Sequence, residues 1–197
     1  QVSTVPYRYG DQLDKLNDAP TRLGYTFDGW YEDAAYTTKF VETTMPGHDV
    51  NLYAKWVPDD IYYFLVLRKE GADGKWTQAT KIQTGKTDKT VPIDPAEFLT
   101  DEEKNTYDFP QKVNYTVSAE DGGTVSISYA RKRYRLTYDL NAENAKWVSN
   151  PGVRQYRLGA ALNLLTQSYV TRAGYTFDGW YTDADCTTAV TEITMPN

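Results

Sequence analysis

Residues 22–46 read RLGYTFDGWYEDAAYTTKFVETTMP, and residues 172–196 read RAGYTFDGWYTDADCTTAVTEITMP. At a constant offset of 150 the two agree at 17 of 25 positions without a gap, and Gly24–Tyr31 is identical to Gly174–Tyr181. An internal repeat of this kind marks a modular chain, built from units that recur. The likeness continues upstream at offset 149, where Tyr7-Arg8-Tyr9-Gly10 with Leu13 and Leu16 matches Tyr156-Arg157-Leu158-Gly159 with Leu162 and Leu165.

Within each copy the spacing of apolar residues predicts short elements. Leu13 and Leu16 sit three apart, as do Leu162 and Leu165, which places each pair on one face of a short helix. Asp11 is the expected N-cap of the first, and Pro20 ends it, because proline disfavours helix in the residue before it. Tyr25-Thr26-Phe27-Asp28 alternates apolar and polar, the pattern of a half-buried strand. Gly29 then predicts a bulge that turns Trp30 toward the same interior as Phe27. Tyr36–Val41 reads as a second short strand, and Val50–Trp56 alternates again after the Thr44–Gly47 turn. The second copy carries one more alternating run, Tyr134–Leu140, ahead of the polar loop Asn141–Gly152. The composite unit is therefore strand, loop, helix, strand, short strand, strand. The first copy lacks the opening strand, and the second stops at Asn197 before the closing one. Such ends leave unpaired sheet edges, which invite strand exchange between chains. The abrupt start at Gln1 predicts a fragment of something larger.

Residues 58–133 follow another pattern. Ile61–Leu67 is a strongly apolar strand, Gly71-Ala72-Asp73-Gly74 a hairpin turn, and Trp76–Gln83 the returning strand. Asp94-Pro95-Ala96-Glu97 has the cap, proline and acid of a helix start, with the helix expected to reach Lys104. Val113–Val117 and Thr124–Tyr129 are expected to form a last hairpin across Glu120–Gly123. The junctions, Val57-Pro58 and Arg131-Lys132-Arg133, contain no flexible linker.

Composition narrows the function classes. Aromatic residues make up 14%, including 17 Tyr and 5 Trp, and aromatics bury the most area per residue in small domains with little interior. A net charge of −6 argues against nucleic acid, which needs a surplus of Lys and Arg, and against adsorption to anionic lipid. Cys186 is the single cysteine and excludes an internal disulfide and a cysteine-built metal cage. No apolar run is long enough to span a bilayer, and no signal peptide is present.

Candidate chemistry is sparse. Gly85-Lys86-Thr87 matches the end of a phosphate-binding loop, but Thr80 stands where the motif needs glycine. His48 is the single histidine, so a zinc site or a catalytic triad has no second member. Asp28, Glu32 and Asp33, with Asp178, Asp183 and Asp185, lack the alternate spacing of a calcium loop and read as solvated turns. Arg131, Arg133 and Arg135 alternate along one strand and offer either a small anion patch or a solvated junction paired with nearby acids. Trp30-Tyr31 and Trp180-Tyr181 are the best candidates for a ligand surface, unless Gly29 and Gly179 reset the register and turn both rings inward. No catalytic residue, metal ligand or cofactor is expected, and the ligand-binding residues are unknown.

The blocks Gly24–Tyr31, Thr44–Pro46 and Leu52–Trp56, repeated at Gly174–Tyr181 and Thr194–Pro196, resemble the internalin B repeat, also called the Listeria–Bacteroides repeat. The resemblance covers roughly 120 of the 197 residues. It implies β-grasp-like domains carried in tandem on secreted and wall-attached bacterial surface proteins. Residues 58–133 are similar, less closely, to mucin-binding-protein repeats through Tyr62-Tyr63, Gly71–Trp76, Thr84-Gly85-Lys86 and Ser126–Tyr129, while Asp94–Lys104 departs from that pattern. The expected fold class is α+β: three small β-rich modules in tandem, spanning 1–57, 58–133 and 134–197, with β-grasp-like repeats at both ends. The expected function is a non-enzymatic stalk or adhesive segment, extracellular and wall-attached, with host or cell-wall glycans or glycoproteins as partners. No nucleic-acid partner and no membrane insertion are expected. The alternative is a carbohydrate-binding module of a secreted multidomain enzyme.

Overall fold

The computed structural model describes residues 3–120, 122–190, 194 and 195. Gln1, Asp121 of the expected Glu120–Gly123 turn, Pro196 of the second Thr-Met-Pro and Asn197 lie outside the described residues. Strands account for 39% of the chain and helix for 9%, so the helical share of the expected α+β class is small. In chain order the strands are β1 (Tyr25–Tyr31), β2 (Tyr53–Pro58), β3 (Asp60–Glu70), β4 (Trp76–Lys86), β5 (Thr90–Ile93), β6 (Tyr107–Asp108), β7 (Val113–Thr116) and β8 (Gly123–Arg131). The second copy supplies β9 (Arg133–Leu136), β10 (Lys146–Trp147), β11 (Arg154–Arg157) and β12 (Val170–Thr171). Among the described residues one α-helix, α1, covers Asp101–Thr106. The largest sheet has four strands ordered β4-β3-β8-β6, and four two-stranded sheets pair β1 with β2, β5 with β7, β9 with β11 and β10 with β12.

The chain divides into two compact units. The first comprises Gln1–Leu65, Lys81–Ile93 and Asn114–Val125; the second comprises Val66–Thr80, Asp94–Val113 and Ser126–Asn197.

In the first unit β1 and β2 run antiparallel, with Phe27 opposite Trp56, Gly29 opposite Lys55 and Tyr31 opposite Tyr53. The register shifts between Phe27 and Gly29, the bulge that glycine predicts, and Gly29 has φ +143°. Phe27 then packs edge to face on both Trp30 and Trp56, at centroid distances of 5.4 and 5.5 Å. The strand expected over Tyr36–Val41 reduces to a single bridge between Lys39 and Tyr31, because Tyr36 takes a left-handed conformation (φ +57°). The helix expected at Leu13 and Leu16 is one 3-10 turn, Asp14–Asn17. Asp11 does not cap it; its carboxylate accepts from the Arg8 N–H and closes the preceding turn instead. Ile61, Tyr63, Leu65 and Val117 are buried, and a Cβ on Gly85 would stand 2.6 Å from Val117, so β4 approaches that core only through glycine.

The hairpin expected between Val113–Val117 and Thr124–Tyr129 does not form. β7 pairs with β5, where the Thr90 and Thr116 hydroxyls meet at 3.1 Å, while β8 has β3 and β6 on its two sides. A strand between two neighbours has no free edge left for β7.

In the second unit the helix expected from Asp94 to Lys104 is split. Asp94 caps a 3-10 turn at Pro95–Phe98, and Thr100 with Glu103 forms a separate capping box that starts α1. Tyr129 is fully buried, and its hydroxyl donates to the Pro95 carbonyl at 2.9 Å. Burial pushes that hydroxyl up to about 12. The opening run Tyr134–Leu140 is ordered as β9, shorter than its alternation suggests, and pairs antiparallel with β11. Leu162 and Leu165 are buried, yet no helix joins them; the 3-10 turn comes later, at Gln167–Tyr169. The loop expected over Asn141–Gly152 contains β10, which pairs with β12.

Candidate functional site

The aromatic pairs resolve first. Tyr31 is buried and its hydroxyl donates to Asp28 at 2.7 Å, while Trp30 packs on Phe27 on the other side of the bulge. Tyr31 is thus buried and Trp30 half-buried against Phe27, so the glycine-reset register turns neither ring fully to solvent. In the second copy Trp180 stacks against Trp147 and meets Tyr138 at a tilt of 56°, and its Nε1–H donates to the Leu165 carbonyl at 2.7 Å. Tyr181 donates to Asp178 at 2.6 Å.

The carboxylates organise turns. Asp33 accepts from the backbone N–H groups of Ala35, Thr37 and Thr38 and from the Thr37 hydroxyl. Asp183 accepts from the Thr187 and Thr188 N–H groups and the Thr187 hydroxyl. The Thr38 and Thr37 amides hold the Asp33 carboxyl below its ordinary value, and the Thr187 amide does the same for Asp183. Asp28 is lowered by the Tyr31 hydroxyl and then by Lys55, whose Nζ lies 2.9 Å away. His48 and Cys186 are exposed, and Cys186 (φ +54°) repeats the left-handed turn of Tyr36. Among the described residues no cluster of three or more His, Cys, Asp or Glu could hold a metal ion, and no helix is long and apolar enough to cross a membrane.

The residues that sequence reasoning passed over lie where the repeats meet the intervening stretch. In the first unit the Gly24 carbonyl accepts from the Asp59 N–H at 3.0 Å and from the Thr87 hydroxyl at 2.6 Å. Thr87 is 1% exposed, so it serves this junction and does not face a phosphate. Tyr25 donates to Asp88 at 2.6 Å, Thr26 donates to Asp59 at 2.6 Å, and Arg22 lies 3.6 Å over the Tyr25 ring. A Cβ on Gly24 (φ +74°) would sit 2.9 Å from Ala119 and Thr87, so the close approach requires glycine.

In the second unit the hub is Glu70, 2% exposed at the end of β3. Its carboxylate accepts from the Arg131 N–H at 3.0 Å, from Arg133 at 2.9 Å and from Arg157 Nε. Arg131 Nε donates to the Glu70 carbonyl and its Nη1 to the Leu158 carbonyl at 2.7 Å, and the Leu158 N–H returns to the Lys132 carbonyl. Burial alone raises the Glu70 carboxyl; the Arg157 bond, the Arg131 N–H and the Arg133 charge outweigh it and hold the group below its ordinary value. Of the three alternating arginines, Arg131 and Arg133 thus converge on one buried acid, which is the paired-junction reading and leaves no patch of three guanidinium groups. The alternation Ile61, Tyr63, Leu65, Leu67 predicts Lys69 as the next inward position, so nothing local singles out Glu70. Its three partners lie 61 to 87 residues away.

Residues 1–55 and 134–197 match the family model of the Listeria-Bacteroides repeat domain. A protein of Evansella cellulosilytica named "Putative membrane protein" is 26% identical over 194 residues, 94% of this chain and 27% of that protein. Internalin H of Listeria monocytogenes is 44% identical over 48 residues, 23% of this chain and 9% of its own length. The chain therefore spans about a quarter and about a tenth of these two relatives. No solved structure matches it.

Proposed function

The chain belongs to the Listeria-Bacteroides repeat domain family, and from that premise we propose that it is a non-enzymatic spacer and adhesive segment of a bacterial surface protein. In this reading three modules, 1–57, 58–133 and 134–197, follow one another, with β-grasp-like repeats flanking a mucin-binding-like middle. The segment lies outside the cell, attached to the wall, and holds a binding domain away from the envelope. Its own faces add weak, multivalent contacts to host or wall glycans or glycoproteins.

The observation that carries the reading is how the junctions are built. Each repeat joins the intervening stretch through buried, charge-assisted or backbone hydrogen bonds, centred on Glu70 in one unit and on Gly24 with Thr87 in the other. Such networks order the groups that make them, whereas a Gly/Ser linker would leave the modules free to swing. Rigidity is what a spacer needs. The relatives' names, a membrane protein and an internalin, fit a surface location.

Spin-label distance measurements test this. A Cys186→Ser background removes the native thiol, and label pairs at Glu42→Cys with Lys89→Cys and at Glu102→Cys with Asp185→Cys each span one junction. One narrow distance population for each pair is expected; broad distributions would exclude a stiff spacer. A glycan array decides the adhesive part, with Trp30→Ala and Trp180→Ala as probes. Lost binding at unchanged melting temperature marks a ligand site, and lost folding marks a core role.

A further inference from the structure

Strand β3 turns successive residues to opposite sides. In the first unit its inward set, Ile61, Tyr63 and Leu65, is buried, and Tyr63 tilts against Tyr115 at 4.8 Å. The outward residues between them are aromatic: Tyr62 is 58% exposed and Phe64 37%. On β4, Ile82 is 64% exposed. The Thr87 N–H bonds to the Asp59 carbonyl and the Gly71 N–H to the Lys75 carbonyl, so the β3–β4 hairpin keeps one register at both ends. That register sets Phe64 opposite Ile82 and Tyr62 opposite Thr84. Opposite residues share a face, and these two pairs fall between hydrogen-bonded ones, where side chains come closest.

Single apolar side chains are ordinary at a surface, whereas a contiguous group rimmed by polar ones marks a contact site. The rim here is made of hydroxyls. Thr84 is exposed on β4, and the outward positions of β8 are Thr124, Ser126 and Ser128. The Gly122 N–H donates to the Tyr62 carbonyl at 3.1 Å, and a Cβ on Gly122 would stand 3.8 Å from the Phe64 ring, so a bare glycine borders the aromatic pair. The charges beyond Tyr62 are Asp60 and Lys86, which neutralise each other at 2.9 Å.

We propose that Tyr62, Phe64 and Ile82 form a platform for an uncharged glycan, whose pyranose rings lay their C–H face on the side chains and turn their hydroxyl edge to Thr84 and Thr124. Size argues for this occupant. A stable protein interface takes about 800 Å² from each partner, and three partly exposed side chains fall far short of that, so neither a second copy nor another protein is the occupant. A pyranose has the matching size, one apolar face and a polar edge. Charge argues for a neutral sugar, because the nearby ion pair is already satisfied and a chain of net charge −6 repels a sulfated or sialylated one. The buried residues beneath hold the rings in place, so little freedom is lost on binding. The inference rests on the adhesive part of the proposed function and gives it a place in the fold.

The test is a titration of cellohexaose, chitohexaose and β-1,4-galactohexaose into the full chain, followed by amide shifts, with their sulfated forms for comparison. Saturable binding of at least one neutral hexasaccharide is expected, weaker once it is sulfated, with shifts at Tyr62–Leu65 and Lys81–Thr84. Tyr62→Ala should weaken it about tenfold, the upper end for one aromatic contact, while Tyr62→Phe keeps it. Ile82→Trp widens the platform and should tighten binding, a gain that misfolding cannot imitate. All three variants should melt with the wild type. Unchanged affinity in both Tyr62→Ala and Ile82→Trp, or shifts confined to other residues, overturns this site and leaves the adhesive reading standing. Absence of binding to any saccharide by the wild-type chain overturns both. Stronger binding of the sulfated forms, or a concentration-dependent dimer that Tyr62→Ala dissociates, would also overturn the proposal.

Discussion

Replacing Glu70 by glutamine keeps the side-chain volume and removes one charge, which makes it a clean probe of the junction in the second unit. The carboxylate is 3% exposed and receives the Arg131 N–H and two guanidinium groups. Removing one partner of a buried ion pair costs about 3–5 kcal/mol, mostly through the charge left behind. Here the arginines keep water: the Arg133 side chain is 41% exposed and Arg157 35%. Partial hydration of the orphaned cations lowers the expected loss to about 2–3 kcal/mol. For a chain of this size that is a fall of about 4–12 °C in melting temperature. The pH dependence gives an independent arm. The folded-state pKa of Glu70 is depressed, so its contribution is present above the ordinary carboxyl value of 4.5 and is lost as pH falls through the lower folded value. Thermal or urea unfolding at pH 7 and in steps toward pH 3 should therefore show a gap between wild type and Glu70→Gln that closes in acid. Equal stability at pH 7 would refute the reasoning, and so would a gap that stays constant down to pH 3.

Two further outcomes follow from the geometry. Thr87→Val keeps the shape of a side chain 1% exposed and deletes its 2.6 Å bond to the Gly24 carbonyl, which still holds the Asp59 N–H; urea unfolding should register a loss of about 1 kcal/mol. The Asp33 carboxyl, depressed by the Thr38 and Thr37 amides, should keep those amides protected from hydrogen exchange at neutral pH and release them as pH falls through its folded value, below 3.8. In Asp33→Ala the same amides should exchange fast at every pH, and slow exchange there would show that the carboxylate does not hold the turn.

Much of the local structure was readable from residue order. The repeat, the glycine bulge that turns Trp30 inward, the Gly71–Gly74 turn and the Asp94 cap all depend on residues within a few positions of one another. Turn and bulge chemistry is short-ranged, so its signals survive in sequence. Errors came where a local signal competed with a distant one. Leu162 and Leu165 suit a helix but are buried in a segment that forms none, and Val113–Val117 suits a hairpin with β8 until β3 and β6 take both edges of that strand.

By itself the sequence determined that this is a strand-rich, modular chain with two copies of one unit, because identical residues at a fixed offset must satisfy the same backbone twice. Only the tertiary structure decided that a buried glutamate ties three arginines together, and that β8 takes β3 and β6 as neighbours while β7 pairs with β5. The physical reason is the same in both cases. Electrostatic partners and strand neighbours are chosen in space, across as many as 87 residues of chain, and no periodicity along the sequence encodes that choice.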